Sequence, residues 1–139
     1  MDPPLEIHID DKSKQSAVNK VVASLPYFLE SVSAGSGWLL EGYEYEFHEF
    51  DDPPNDADFA LRVRGDSMSP NYNDDDIVFV RKTVLVESGQ IGVFCLNGEG
   101  FMKQLQGNRL VSLNSGYEPV TINDFDSFYV AGRVVGKVK

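Results

Sequence analysis

The sequence predicts an all-β, or mostly β, fold in which short antiparallel strands form one domain. Apolar and polar residues alternate with period two in several segments, as on strands with one buried face. Other segments are short apolar runs of β-forming residues, and the tracts between them are rich in Gly, Asn and Asp, which favour turns. With 139 residues, 42% of them hydrophobic, the chain can fill one core but not two.

The predicted strands begin at residues 43–47, where aromatic residues alternate with carboxylates, and residues 59–63 alternate in the same way. Residues 77–80 form a continuous apolar run behind an acidic turn, which indicates a buried strand. Gly and Asn in residues 97–100 and 106–108 accept positive φ angles and favour tight hairpins. Further strands are predicted at residues 90–96, 100–105, 109–113 and 128–138.

The first part of the chain has a different composition. Residues 1–25 are mostly polar and contain lysines, which predicts a linker or tether ahead of a domain at residues 26–139. Four apolar residues near the end of this part recur at helical spacing, which is compatible with a short N-terminal helix that ends before Pro26. They are Val18, Val21, Val22 and Leu25.

Charge and cysteine content limit the partners and the compartment. The net charge is −10, with 12 Lys and Arg against 22 Asp and Glu, so we expect no direct DNA binding by this chain. Cys95 has no intrachain partner and is interpreted as a small buried hydrophobic residue in a reducing compartment. No apolar run approaches the ~20 residues of a membrane span, and we find no signal peptide. We therefore expect a cytoplasmic protein without membrane contact.

The first candidate for chemistry is Ser67. It lies in the segment 64–70, Arg-Gly-Asp-Ser-Met-Ser-Pro, which follows a predicted strand. The Gly and Pro of this segment place Ser67 in a loop, where a hydroxyl can be exposed. From this segment alone, the alternatives are a nucleophile and an ordinary solvated loop serine.

The second candidate is Lys103, in the predicted strand 100–105. Alternate side chains of a strand share a face, so an extended chain places the Lys103 ammonium beside Phe101 and Leu105. Desolvation by apolar neighbours would lower the pKa of the lysine and leave a neutral amine near neutral pH, as the base of a serine-lysine dyad requires. The alternative is a strand-edge lysine whose head group reaches water.

A third feature is the run of small residues at 32–37, Val-Ser-Ala-Gly-Ser-Gly, upstream of the first alternating strand. The side chains of Ala34 and Gly35 leave the carbonyl between them open to attack, and the glycines let the backbone fold back into a cleft. An ordinary flexible turn is the alternative.

Together, the three features resemble the S24 family of self-cleaving proteins, which includes the repressor LexA, the phage repressors and the mutagenesis protein UmuD. Their order and approximate spacing are similar to those of that family, and the resemblance runs from about residue 27 to residue 138. The matching motifs are Ala34-Gly35, Gly65-Asp-Ser-Met68 and Lys103, with residues 74–80, 113–119 and 130–135.

The resemblance implies a LexA-type C-terminal peptidase fold of short, highly curved antiparallel strands, with a cleavage loop at residues 31–37. Ser67 would attack the carbonyl of Ala34, and neutral Lys103 would act as general base. Backbone amides of Asp66 and Ser67 would stabilise the oxyanion. No cofactor or metal is expected.

The resemblance also implies partners. We expect a homodimer, with the C-terminal strand at 128–138 as candidate interface, and a RecA-DNA filament or another antirepressor as the trigger of cleavage. DNA would be bound only through a separate N-terminal helix-turn-helix domain, which residues 1–25 are too short to supply. The chain is interpreted as the C-terminal domain of a phage-type or SOS transcriptional repressor. The alternatives are a UmuD-like SOS mutagenesis protein and a dimerisation and sensor domain that does not cleave.

Histidine-dependent hydrolases fit the sequence poorly. The nucleophile elbow of α/β-hydrolases needs Gly two residues after the serine, and Ser69 stands there. Both histidines, His8 and His48, precede Ser67, so the Ser-Asp-His order of those enzymes is excluded.

A calcium site and a signal peptidase also fit poorly. An EF-hand loop starting at Asp74 would need Gly where Phe79 stands, so residues 74–76 are interpreted as a solvated turn. Signal peptidases use Ser and Lys on a related fold, but they need a membrane anchor, and the sequence contains no apolar run of that length.

Overall fold

The computed structural model describes residues 21–28 and 44–139, and within these ranges the chain forms one sheet of nine strands. In chain order the strands are β1 (Val22–Phe28), β2 (Tyr45–Asp51), β3 (Phe59–Arg62), β4 (Ile77–Arg81), β5 (Ile91–Leu96), β6 (Glu99–Gln106), β7 (Arg109–Val111), β8 (Val120–Thr121) and β9 (Phe128–Lys137). Across the sheet the order is β2-β1-β3-β4-β9-β5-β6-β7-β8. β1 pairs with β3 in parallel, and the other described neighbours pair antiparallel.

The all-β prediction is confirmed, since the described residues contain strands and turns and no helix. Each predicted strand overlaps an observed one, although β2 starts at Tyr45 and runs on to Asp51. The sequence analysis missed β1 and the short β8, which consists of two residues. β8 is paired with β7, and so short a strand leaves almost no periodicity to detect.

The helix suggested near the N-terminus is wrong for the residues that the structure describes. Val22 and Leu25 lie in β1, which pairs with β2 along its whole length, from Val22 opposite Asp51 to Phe28 opposite Tyr45. The hydrogen bonds of this ladder outweigh a helical spacing of apolar residues, and Pro26 also disfavours a helix interior. Val18 lies outside the described residues.

The division into a linker at residues 1–25 and a domain at residues 26–139 stays a prediction. β1 contains residues from both sides of the predicted boundary. Its edge toward β3 is paired at Tyr27 and Phe28, just beyond that boundary.

The core lies mainly on β3, β4, β5 and β9. Its largest cluster includes Leu61, Val78, Val93 and Ala131, and Phe94 belongs to a second cluster under β6 and β7. The interpretation of Cys95 as a buried hydrophobic residue is confirmed, because its side chain is 1% exposed and packs in the first cluster. No helix that is long and apolar enough to cross a membrane occurs in the described part of the chain.

Strong curvature of the sheet brings distant strands together. Four neighbour pairs separate β3 from β6 in the strand order, a distance of roughly 19 Å in a flat sheet at about 4.8 Å per pair. Yet Leu61 and Val63, at and just after β3, line one cavity together with Met102 of β6. The cavity therefore lies on the concave face, where β3 and β6 approach each other across the curved sheet.

Candidate active site

Ser67 lies in a tight turn after β3, which we call the Ser67 turn (residues 64–70). Gly65 adopts φ +82°, a conformation that other residues enter only with strain, and its amide donates to Asp74 Oδ1 at 2.7 Å. The neighbouring Met68 side chain is 2% exposed and anchors the turn in the core. Ser67 itself is half-buried and lines a cavity beside the core.

The acidic segment 74–76, interpreted from the sequence as a solvated turn, also accepts hydrogen bonds from neighbouring backbone amides. Asp74 accepts the hydrogen bond from Gly65, and Asp76 Oδ2 accepts one from the amide of Asn73 at 2.8 Å. Asp76 also lies 3.5 Å from Lys137 Nζ. The segment therefore supports the Ser67 turn. Among the described residues, no group of three or more His, Cys, Asp or Glu side chains could hold a metal ion.

Lys103 is placed by the β5–β6 hairpin. Asn97 and Gly98 occupy its turn with φ of 52° and 84°, as a tight two-residue hairpin requires, and the resulting register sets Lys103 opposite Gly92. The Lys103 side chain is 8% exposed, so the alternative of a surface lysine does not describe it. Its Nζ lies 5.9 Å from the centre of the Phe101 ring. Burial lowers the pKa of Lys103 below that of an ordinary lysine.

The amine of Lys103 has one buried hydrogen-bond partner. Nζ donates to Ser112 Oγ at 2.7 Å, and Ser112 is 7% exposed. Nζ also lies 5.7 Å from the centre of the Tyr117 ring. Lys103 is thus held between β6 and the segment that follows β7.

Ser67 and Lys103 line the same space. One cavity of about 140 Å³ has apolar walls from the core and includes both residues, and a second, shallower one contains both again with Ser112 and Tyr117. The structure shows no hydrogen bond between the Ser67 hydroxyl and the Lys103 amine, whose described partner is Ser112. Catalytic hydrogen bonds often tighten only when substrate is bound.

The segment 112–117 also contacts the Ser67 turn. The Asn114 backbone amide donates to the Ser67 carbonyl at 3.0 Å, and Asn114 Nδ2 donates to the Asp66 carbonyl at 3.0 Å. The Tyr117 hydroxyl donates to the Asp66 carboxylate, and this hydrogen bond, followed by the carboxylate charge and by burial, raises the pKa of Tyr117.

Sequence reasoning assigned no role to Ser112, Asn114 or Tyr117. The predicted hairpin at 106–108 contained a usable signal for the first of them. The observed register pairs Gln104 with Val111, and its continuation sets Lys103 opposite Ser112. No periodicity or charge pattern could have found the contacts of Asn114 and Tyr117, because they join segments far apart in the chain.

A family model described as Peptidase S24-like matches residues 26–135, which is most of the chain. The chain belongs to the Peptidase S24-like family. This membership confirms the S24 resemblance found in the motifs. Ser67, Lys103 and the predicted cleavage loop all fall within the matched range.

The chain is also similar in sequence to two kinds of curated protein. The LexA repressor of Syntrophotalea carbinolica is 38% identical over 86 residues, which cover 58% of this chain and 43% of that repressor. The LexA repressor of Oleidesulfovibrio alaskensis is 34% identical over 84 residues, which cover 57% and 41%. Protein MucA of Salmonella typhimurium is 30% identical over 105 residues, which cover 73% and 69%. The chain thus spans less than half the length of the LexA repressors that it matches.

The predicted scissile bond of this S24 domain, Ala34-Gly35, and the loop 31–37 lie outside the described residues. The described strands on either side are β1 and β2, which pair with each other up to Phe28 and Tyr45. Phe28 also pairs with Leu61, a residue that lines the cavity containing Ser67. The chain therefore enters and leaves the undescribed segment close to the candidate site.

Proposed function

We propose that this domain is the autoproteolytic C-terminal domain of a phage-type or SOS transcriptional repressor, which cuts its own Ala34-Gly35 bond with a dyad of Ser67 and Lys103. The observation that carries the proposal is the shared cavity, which a half-buried serine lines together with a buried lysine of lowered pKa. Membership of the S24 family supports the same chemistry.

In the proposed reaction, Ser67 Oγ attacks the carbonyl carbon of Ala34 while its proton passes to the neutral Lys103 amine. The negative charge on the carbonyl oxygen is stabilised by the backbone amides of Asp66 and Ser67. As the carbon–nitrogen bond breaks, the Lys103 ammonium returns the proton to the amino group of Gly35. Water, deprotonated by Lys103, then hydrolyses the Ser67 ester and releases the new Ala34 carboxylate.

The apolar environment of Lys103 makes this role feasible at moderate pH. An ordinary lysine is almost fully protonated near neutral pH and cannot accept the serine proton. Burial disfavours the ammonium, so a larger fraction of Lys103 is neutral at any pH below its ordinary pKa. Cleavage should therefore accelerate as pH rises, with a midpoint below that expected for an exposed lysine.

The connection of the cleavage loop supports cleavage within one chain. Ala34 is six residues beyond Phe28, and six extended residues reach at most roughly 20 Å. Phe28 is fixed beside Leu61 at the cavity, so this reach is sufficient for the loop to enter it. A tethered substrate has a high effective concentration, and moderate catalytic groups then suffice.

The test is incubation of the purified protein between about pH 7 and pH 10.5, followed by electrophoresis and intact-mass measurement. We expect two fragments that separate between Ala34 and Gly35, with a rate that increases as Lys103 loses its proton. Ser67→Ala and Lys103→Ala should each abolish cleavage. Ser88→Ala is the matched control. Ser88 lines neither cavity, and its described hydrogen bond is the one that it accepts from the Gly107 amide, so this variant should cleave like the wild type.

The similarity to LexA repressors supports the proposed partners. These are a second copy of the chain, a RecA-DNA filament or another antirepressor that triggers cleavage, and DNA bound through a separate helix-turn-helix domain. A UmuD-like SOS mutagenesis protein is the alternative that shares the cleavage chemistry. A chain that stays intact at every pH, with and without activated RecA filament, would contradict the proposed self-cleavage and favour a dimerisation and sensor domain.

A further inference from the structure

The segment 112–117 contacts both halves of the candidate dyad. Ser112 accepts the hydrogen bond of the Lys103 amine at 2.7 Å. Two residues later, Asn114 donates to the carbonyl groups of Asp66 and Ser67, each at 3.0 Å. The segment is itself tightly folded, since Asn114 Oδ1 accepts from the Gly116 amide at 2.9 Å.

We propose that the segment 112–117 positions the reacting groups, with Ser112 orienting the Lys103 amine and Asn114 orienting the backbone amide of Ser67 toward the oxyanion. This inference rests on the proposed function and adds two positioning residues to it. Neither residue needs to touch the scissile peptide. Each acts through a group that does.

Ser112 acts through the geometry of a neutral amine, which has two N–H bonds and one lone pair. When one N–H of Lys103 is committed to Ser112 Oγ, rotation of the amine is restricted and its lone pair can stay directed into the cavity that Ser67 lines. Both residues are less than a tenth exposed, so water competes poorly for this hydrogen bond. Without Ser112, the amine would lose its described partner and its fixed orientation.

Asn114 acts through the planarity of the peptide group. The peptide between Asp66 and Ser67 is trans, so its carbonyl and its N–H point in opposite directions. Asn114 Nδ2 holds the carbonyl of this peptide, and the Ser67 N–H is therefore directed away from Asn114. The described residues contain no acceptor for the amides of Asp66 or Ser67, so both remain available to an oxyanion.

Other charged groups also face Lys103 and must be held constant in a test. Arg64, Asp66, Tyr117 and Glu118 line the shallower cavity with it, and Arg62 lines the deeper one. The substitutions below leave all five in place and introduce no charge, so a change in the pH profile reports on the hydrogen bond itself.

The first measurement is the pH-rate profile of self-cleavage in Ser112→Ala. Removing the buried acceptor takes more stabilisation from the ammonium form of Lys103 than from its neutral form, so the pKa of Lys103 should fall. We expect the midpoint to move to lower pH while the rate at the plateau drops by roughly 10- to 100-fold. Ser112→Thr keeps the hydroxyl and should retain the wild-type midpoint and plateau rate. Ser88→Ala should change neither the midpoint nor the plateau rate.

The second measurement is the same profile in Asn114→Ala. We expect the plateau rate to fall by roughly tenfold or more, because the Asp66 carbonyl keeps only the Ser69 amide at 3.1 Å and the oxyanion donor is held less firmly. The midpoint should stay at the wild-type pH, since the contact between Lys103 and Ser112 is intact. A variant that is merely less stable would not shift the midpoint in Ser112→Ala and leave it unchanged in Asn114→Ala, and urea unfolding checks that each variant is folded.

The third measurement separates this proposal from the proposed function. The titration of Lys103 can be followed by NMR of its Cε and Nζ in a Ser67→Ala background, where no cleavage occurs. A lower pKa after adding Ser112→Ala shows that Ser112 holds the Lys103 amine, whether or not the wild type cleaves, and an unchanged pKa overturns that part of the proposal. If the wild type cleaves and both Ser112→Ala and Asn114→Ala match its plateau and midpoint, the positioning proposal is overturned and the dyad stands.

Discussion

Burial of Lys103 suits its proposed role as general base but lowers the stability of the fold. The side chain is 8% exposed and its pKa is lowered by desolvation. A lysine whose folded-state pKa lies below its unfolded-state pKa binds fewer protons in the folded state between those two values. The folded state is therefore penalised at neutral pH, and stability from this group increases as pH rises through the window between the two pKa values.

Lys103→Met tests this cost at the residue scale. Methionine fills similar space without a charge, so we expect the free energy of unfolding at pH 7 to rise by about 1 kcal/mol while cleavage is lost. The gain should shrink toward pH 10, because the wild-type lysine becomes neutral in the folded protein. Urea unfolding at both pH values, in a Ser67→Ala background to prevent cleavage, gives the comparison. A gain that does not depend on pH would contradict the lowered pKa.

The individual candidates were accessible from the sequence because each leaves a local trace. Ser67 stands between Gly and Pro in a predicted loop, and Lys103 shares strand parity with Phe101. Ser112 left only the register of the hairpin at 106–108, which sets it opposite Lys103, and Asn114 left no such trace. A polar residue that acts through one hydrogen bond across the fold looks like any surface residue in the sequence.

At the scale of elements, the Ser67 turn depends on one backbone conformation. Gly65 has φ +82°, and a methyl group there would meet no atom within 4 Å. Gly107, in the turn between β6 and β7, has φ +61° and equally open surroundings. The two glycines therefore differ mainly in location, since only the former lies next to the candidate nucleophile.

Gly65→Ala should lower the free energy of unfolding by about 1 to 2 kcal/mol through backbone strain, and it should slow self-cleavage because the strain moves Ser67. Gly107→Ala is the matched control, with a similar loss of stability and no change in the cleavage rate. Unfolding curves and cleavage rates at one pH measure both effects. Equal cleavage rates in the two variants would show that the conformation at Gly65 is not needed for positioning Ser67.

Element assignments from sequence succeeded where alternation with period two or a continuous apolar run was clear, and failed where neither was. The segments at 59–63 and 77–80 became β3 and β4, which carry much of the core. β1 was missed because its apolar residues also fit a helical spacing. Its identity as a strand comes from its partners β2 and β3, which a local window of sequence does not contain.

At the scale of the whole molecule, the sheet must curve for the candidate site to exist. β4, β9 and β5 lie between β3 and β6 in the strand order, yet residues at both ends line one cavity. The core cluster that includes Val78, Val93 and Ala131 fills the concave side. β-Bulges where β9 pairs with β4 and with β5 accompany this bend.

The short connection from Phe28 to Ala34 makes cleavage within one chain the expected mode. The half-time of cleavage should then be independent of protein concentration over a range on the order of a hundredfold, because the substrate is tethered. Mass-labelled Ser67→Ala chains mixed with the wild type should remain intact. Cutting of the labelled chains would show instead that the loop reaches the site of a second molecule.

The sequence by itself determined the fold class, the serine, the lysine and the family resemblance, because alternation, turn residues and motif spacing are properties of neighbouring positions. The scissile pair Ala34-Gly35 was proposed from the same local information. Tertiary structure alone decided that Lys103 is buried, that Ser112 holds its amine and that Asn114 ties the same segment to the Ser67 turn. These features depend on the curvature of a sheet whose strands meet across long stretches of chain, and no local pattern specifies that curvature.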